Sequence, residues 1–324
     1  MSDMHSTPGP REPARPGNDN GMSRRSFLRL SGGATAFAGV AALTAGLAPL
    51  RELASFTSLE KFLQKHYKEM TPREMERVLD RIAREVERQY GMRPHVRDLK
   101  PMDGVEFVYA LNLSRCIGCR RCVHACVAEN NQSGDPALEY IRVVKMPQGT
   151  FDLTKGEHNY EPESVPEEGY FYMPVQCQQC ANPPCVKVCP VRATWQEPDG
   201  ITVIDYDWCI GCRYCQAACP YFARRFNFKK PVIPKERLNP NMSYLGNRPR
   251  EVGVVEKCHF CIQRTRAGRY PACLEVCPVG ARKFGNVLDP ESEISYILRE
   301  KRVFTFILKE EQGTLPRFFY YLDK

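Results

Sequence analysis

Sixteen cysteines fall into four groups of four, and none is left over. Cys116, Cys119, Cys122 and Cys126 read C-x2-C-x2-C-x3-C, and Cys209, Cys212, Cys215 and Cys219 repeat that spacing. Cys177, Cys180, Cys185 and Cys189 hold Pro183-Pro184 in a longer middle gap, which Cys258, Cys261, Cys273 and Cys277 stretch further. A cubane iron-sulfur cluster needs one thiolate per iron. A C-x2-C-x2-C loop wraps three corners, while a fourth cysteine, beginning a departing segment, reaches a neighbouring cluster. Three groups end in Cys-Pro, at Cys189-Pro190, Cys219-Pro220 and Cys277-Pro278. Proline fixes φ and lacks an N–H, so it turns the chain after the ligand. Cys126-Val127 is the exception.

Other uses of thiols fit this spacing less well. Zinc accepts four thiolates but usually as two well-separated pairs, whereas groups one and three pack three cysteines into each tight loop. Disulfides suit an exported protein, yet adjacent triplets make a better metal cage than a stapled loop. Covalent haem needs C-x-x-C-H, and Arg120, Val123, Ala181, Arg213, Gln216 and Ile262 stand where the histidine would be. That reading is excluded.

Groups two and three lie close enough in sequence to form one contiguous two-cluster unit, with groups one and four bracketing it. The expected fold is α+β: two bacterial-ferredoxin-like modules, one inserted in the other, each built around two cubane clusters. Boundaries are expected at 1–50 for a disordered leader and signal segment and 51–104 for a helical extension. The four-cluster domain should span 105–290, its inner module about 170–225, with a C-terminal tail over 291–324. Apolar runs at Val105 to Leu113 and Ile201 to Ile204 predict strands leading into the loops, and short helices are expected after the fourth cysteines.

The pattern resembles the four-cluster iron-sulfur subunits of the DMSO reductase and polysulfide reductase type, over roughly residues 105–290. The resemblance implies that Cys116, Cys119, Cys122 and Cys277 hold one cluster, and Cys258, Cys261, Cys273 and Cys126 its partner. It likewise implies Cys177, Cys180, Cys185 and Cys219 for the third and Cys209, Cys212, Cys215 and Cys189 for the fourth, giving four 4Fe-4S clusters. The implied partners are a molybdopterin-type catalytic subunit and a polysulfide-reductase-type integral membrane, quinone-reactive subunit. A periplasmic hydrogenase, a multihaem complex or a cytochrome c stand as alternatives.

The N-terminus carries an address. Ser23-Arg24-Arg25-Ser26-Phe27-Leu28-Arg29 precedes an uncharged run from 30 to 50 and resembles the twin-arginine export signal, with Arg29 where lysine is commonest. Export in the folded state implies a cofactor inserted beforehand and a periplasmic protein, held at the membrane by partner subunits or an uncleaved signal. Next, Thr71-Pro72-Arg73-Glu74 has capping-box form, and Met75, Val78, Leu79, Ile82 and Val86 make one apolar stripe ending before Gly91. A helix packed on its own domain is expected.

With 46 Lys+Arg against 38 Asp+Glu the chain is mildly basic, which permits an acidic partner without demanding one. Arg115, Arg120, Arg121 and Lys257 lie beside ligands, either raising cluster potentials or solvated at the surface. His124 and His259 sit in ligand loops already rich in thiols, so a hydrogen-bonding role suits them better than ligation. Residues 221–230 interleave aromatic and basic side chains, a pattern some nucleic-acid surfaces share. In an exported chain it points instead to packing over a cluster or to a protein partner, with no nucleic acid. Phe318, Phe319, Tyr320 and Tyr321 are either core or a docking strip. No nucleotide fingerprint, nucleophile elbow or H-E-x-x-H is present. The expected role is electron transfer between partners, the chain not being an enzyme on its own; a zinc-stabilised interaction module is the reading from another class.

Overall fold

The capping box closes as the sequence predicts: Thr71 N–H donates to Glu74 Oε2 at 2.7 Å and Glu74 N–H returns to Thr71 Oγ1 at 3.3 Å. It starts α1 (Pro72–Tyr90), which stops at Gly91, held at φ +70. The structure, a computed structural model, describes residues 70–301 and 305–323. The leader, the signal segment and the first part of the expected extension lie outside the described residues. Ile82, Ala83, Val86 and Tyr90 on one face of α1 join the main hydrophobic core, so the helix packs on its own domain.

After α1 come β1 (His95–Arg97), β2 (Phe107–Asn112), α2 (Arg121–Glu129), β3 (Arg142–Pro147) and β4 (Tyr170–Val175). Then follow α3 (Pro184–Lys187), β5 (Thr194–Gln196), β6 (Thr202–Ile204), α4 (Tyr214–Ala217) and β7 (Arg225–Phe226). The chain continues through β8 (Asn241–Ser243), β9 (Val255–Glu256), α5 (Ile262–Thr265), α6 (Ala272–Glu275) and β10 (Arg282–Asn286). It ends with α7 (Glu293–Glu300), β11 (Thr305–Ile307) and β12 (Phe318–Tyr321). This is a mixed α+β fold of short elements, and the strands foreseen before the first and third cysteine groups are β2 and β6. No helix among the described residues is long and apolar enough to cross a membrane.

The helix placement corrects the sequence reading. Helices expected after the fourth cysteines instead carry the third ones. Cys185, Cys215 and Cys273 sit in α3, α4 and α6, which all stop before Cys189, Cys219 and Cys277. The prolines that follow those cysteines cannot continue a helix. Only α2, with Val127 after Cys126, runs through its fourth cysteine to Glu129. The nesting is visible in the packing: α2 packs on α6 and β2 pairs with β10, joining groups one and four, while α3 packs on α4, joining groups two and three.

The stretch from 291 read as a tail is structural. The central sheet runs β10-β2-β12-β11, with β12 parallel to β2 so that Phe318 faces Tyr109 and Tyr320 faces Leu111. Phe318 stacks on Tyr109 with centroids 4.8 Å apart. The other face buries Val108, Ala110 and Tyr321 under Ile294 and Ile297 of α7. Every residue of β2 is therefore buried, and the aromatic group at the C-terminus is core. Residues before β12 also hold the second cysteine loop, through Ala181 N–H to Leu315 O at 2.7 Å and Arg317 N–H to Gln178 O at 2.9 Å.

In all four loops the residue before the second cysteine is left-handed: Gly118, Gln179, Gly211 and Phe260 have φ between +45 and +73. Glycine is required where space is also absent. A Cβ on Gly118 would lie 2.3 Å from the Tyr172 ring, and one on Gly211 2.2 Å from the Gly253 carbonyl oxygen.

Two stability measurements test this account. Gly268→Ala, at φ +73 with nothing within 4 Å, should cost about 1 kcal/mol. Gly211→Ala should cost about 1–3 kcal/mol more, the usual range for overpacking, seen as a lower anaerobic unfolding midpoint; equal costs would refute the close approach. Phe318→Ala should lose about 3–5 kcal/mol, whereas Tyr296→Ala on exposed α7 surface should stay within about 0.5 kcal/mol.

Candidate metal centres

Two cavities collect cysteines from different groups. Cys116, Cys119, Cys122 and Cys277 line one of about 370 Å³ of empty space, and Cys177, Cys180, Cys185 and Cys219 line another of about 350 Å³. Cys126, although it follows the first loop, sits instead among Cys258, Cys261 and Cys273 and interacts electrostatically with all three. Cys189 lies beside Cys212, and Cys215 beside Cys209. Three places thus combine three cysteines of one group with the fourth of its partner group, and Cys189 of the second group meets Cys212 of the third. Electrostatic interactions also run between places: Cys122 with Cys273, Cys258 with Cys177, and Cys215 with Cys185. The first quartet therefore neighbours the second, the second the third, and the third the fourth.

The donor set, four thiols around an open cavity, suits a polynuclear cluster. Among the described residues no three His, Cys, Asp or Glu side chains close down to the spacing of a single metal ion. Burial first, then neighbouring thiols, pushes the Cys258 and Cys180 thiols up to about 12, and burial does the same to Cys116. Cys126 and Cys261 are also raised well above the ordinary thiol value by the same two causes. Such thiols stay protonated unless a bound cation takes the place of the proton, so metal binding here is coupled to deprotonation.

Around the sulfurs the chain supplies N–H donors. Gln132 Nε2 donates to Cys126 Sγ at 3.2 Å, and Asn130 Nδ2 to Cys126 Sγ at 3.5 Å and Cys261 Sγ at 3.6 Å. Gln176 Nε2 reaches Cys258 Sγ at 3.9 Å. Two arginines do the same with full charge. Arg282 Nη2 donates to Cys122 Sγ at 3.2 Å, while Nη1 bonds Tyr109 OH and Gln176 Oε1. Arg224 Nη2 donates to Cys185 Sγ and to Thr194 Oγ1, both at 3.0 Å. Arg224 Nε and Nη1 are buried with no partner, which fits an anionic group held by the quartet beside them.

The charged residues flagged from sequence are mostly engaged elsewhere. Arg115 pairs with Asp323 and Arg120 with Glu139. Arg121 and His124 are exposed on α2. Lys257 is buried, its Nζ donating to the Thr202 and Cys258 carbonyls. His259 Nδ1 accepts from Ile262 N–H at 3.3 Å, and burial lowers its pKa well below the ordinary value. Arg224 and Arg282 were not singled out, although a repeat marks them: Cys-Pro-x-x-Ala-Arg occurs at 219–224 and again at 277–282. In the run 221–230, Tyr221, Ala223 and Arg224 pack inward, and Phe222, Phe228, Lys229 and Lys230 face out.

Comparison with known proteins agrees with this geometry. Two family profiles match, each described as a 4Fe-4S dicluster domain, one over residues 106–193 and the other over 169–252 and 244–287. A selenate reductase subunit of Mesobacillus selenatarsenatis is 34% identical over 314 residues, 92% of this chain and 96% of that protein. A tetrathionate reductase subunit of Salmonella typhimurium is 37% identical over 214 residues, 66% of this chain and 71% of its own. An Hdr-like menaquinol oxidoreductase iron-sulfur subunit of Archaeoglobus fulgidus is 40% identical over 240 residues, 65% of this chain and 81% of that protein. With a likeness that runs along nearly its whole length, the chain belongs to the 4Fe-4S dicluster iron-sulfur subunits of reductase complexes, which transfer electrons for a catalytic subunit.

Proposed function

We propose that the chain holds four 4Fe-4S clusters and relays single electrons between a quinone-reactive integral membrane subunit of the polysulfide-reductase type and a molybdopterin-type catalytic subunit. The crossing of the quartets carries this reading: three cysteines from one loop meet the fourth of another, as two-cluster ferredoxins require. The ligand sets are Cys116, Cys119, Cys122 with Cys277; Cys258, Cys261, Cys273 with Cys126; Cys177, Cys180, Cys185 with Cys219; and Cys209, Cys212, Cys215 with Cys189. When bound, each cluster supplies a reversible one-electron couple with no bond made or broken. The chain's own part is to seat the sulfurs, surround them with N–H donors and hold neighbouring quartets side by side.

The fourth quartet supplies one contact end. Cys212 is exposed there, and the nearby Trp208, Tyr214 and Phe228 are exposed large apolar side chains. Arg213 lies over the Phe226 and Phe228 rings. Aromatic side chains with arginine are the composition of protein interfaces. The menaquinol oxidoreductase relative supports a quinone-linked partner, and the twin-arginine pattern supports export with the clusters already in place, for work in the periplasm.

Anaerobically purified protein should contain iron and acid-labile sulfide at about sixteen each per chain, from four Cys-ligated cubanes, with zinc far below stoichiometric. Crossing has its own signature. Cys277→Ser should disturb the same EPR signal as Cys116→Ser, and Cys126→Ser the same one as Cys273→Ser; signals grouped by sequence cluster instead would overturn the ligand sets. A second expectation concerns the complex. Native purification from membranes should yield molybdenum with a large subunit, and replacing Arg24 and Arg25 by lysine should leave the chain in the cytoplasmic fraction. Nickel or several haems in place of molybdenum would move the relay to a hydrogenase or cytochrome partner.

A further inference from the structure

Arg224 and Arg282 occupy equivalent places. Each stands five residues after a crossing cysteine, in Cys219-Pro220-Tyr221-Phe222-Ala223-Arg224 and Cys277-Pro278-Val279-Gly280-Ala281-Arg282. In both, the residue three after the cysteine is left-handed, with φ +50 at Phe222 and +60 at Gly280. The bend brings the arginine back onto the third cysteine of the other group, Cys185 or Cys122. These are the quartets that Cys219 and Cys277 complete. The two remaining quartets lack the feature. Cys189 is followed by the same bend, at Arg192 with φ +50, but leads to Thr194. Cys126 meets the neutral amides of Asn130 and Gln132.

The charge of both arginines is uncompensated. Their side chains are 2% and 3% exposed, and among the described residues neither pairs with a carboxylate. Other buried arginines do: Arg250 with Glu256, Arg264 with Glu129, and Arg266 with Asp199. A cluster gains negative charge on reduction, so a fixed cation at its sulfur favours the reduced form and raises its potential. Hydrogen bonds to the sulfur act in the same direction.

We propose that Arg224 and Arg282 are positioning residues that set the potentials of the quartets they touch, holding the Cys177–Cys180–Cys185–Cys219 and Cys116–Cys119–Cys122–Cys277 centres more oxidising than the same sites would be without them. The effect is local to each module. Arg224 also interacts with Cys215 of the fourth quartet, and Arg282 with Cys273 of the second, so those neighbours shift by less. In the row of quartets Arg282 falls on the first centre and Arg224 between the third and the fourth, closest to Cys185 of the third. The relay is therefore a row of unequal sites, with the cations nearest the first and third centres and neutral side-chain amides at the second.

The inference rests on the proposed cluster assignment, and an EPR-monitored redox titration of the anaerobically purified complex separates the two. Wild-type complex with fewer than four titrating centres would overturn the assignment itself. With four present, Arg224→Gln and Arg282→Gln should each lower the reduced-to-oxidised ratio of one centre about tenfold at fixed potential, a fall of about 59 mV for one electron. The module neighbour should move less, and the two centres of the other module by under about twofold, as expected for a screened single charge. Unmoved midpoints, or a uniform shift of all four, would overturn the arginines' role and leave the assignment standing. Should a Gln variant lose iron, the charge-keeping Arg→Lys variant at that position decides. A ratio within about twofold of wild type carries the proposal, and a tenfold fall with the charge kept assigns the effect to packing and overturns it.

Discussion

A buried thiolate is tolerated only beside positive charge or N–H donors, and the interior of this chain is arranged around that constraint. Cys126, Cys180, Cys258 and Cys273 belong to the same buried cluster as Tyr109, Leu111, Val123 and Phe318. In an ordinary core those positions would be filled by aliphatic carbon. Here they are thiols, and at Cys126, Cys180 and Cys258 burial favours the protonated form until a metal displaces the proton. Folding and metal loading are consequently coupled.

Proline turns sequence spacing into three-dimensional crossing. At Cys189, Cys219 and Cys277 the helix carrying the third cysteine has to end, and the chain leaves toward a different quartet. The first group lacks this stop, so α2 continues to Glu129 and its end becomes useful in another way. Asn130 caps the helix region with Nδ2 on the Cys126 carbonyl at 2.9 Å and also reaches the Cys126 sulfur. Gln132 adds a second amide. Where the Cys-Pro turn would have delivered a cation or a hydroxyl, the longer helix delivers two neutral donors. The departure from the repeat changes the electrostatics of that sulfur without changing its place in a quartet.

Local features were legible in the sequence and non-local ones were not. Cysteine spacing encodes loops that close over a few residues, and the Thr71–Glu74 capping box is complete within four, so both could be read directly. The β12–β2 pairing joins Phe318 to Tyr109 across some two hundred residues, and nothing in the C-terminal segment reports it beyond a run of aromatics that fits a docking strip equally well. Charge was misread for a related reason. Arg120 adjoins Cys119 in sequence but is paired with Glu139, whereas Arg224 looked like one member of a basic surface run and is buried on a sulfur. A single left-handed residue, Phe222, separates the outward ring from the inward guanidinium, and a φ sign change at a non-glycine residue leaves little trace in composition.

Insertion of one module in the other makes the boundary between them the step most in need of rigidity. Gln176 immediately precedes Cys177 of the inner module, yet its side chain bonds Arg282 and approaches Cys258 of the outer one. Lys257 immediately precedes Cys258 and donates to the Thr202 carbonyl on β6 of the inner module. Gln179 Nε2 donates to the Cys258 carbonyl at 2.8 Å while its Oε1 accepts from Thr202 N–H at 2.9 Å. Three side chains adjoining ligands of one module thus bond backbone or side chain of the other, and all are buried. Two ferredoxin units on a flexible linker would leave the middle gap of the row to fluctuate. Here buried side chains adjoining Cys177 and Cys258 tie the two modules together, so the step between them is constrained in space.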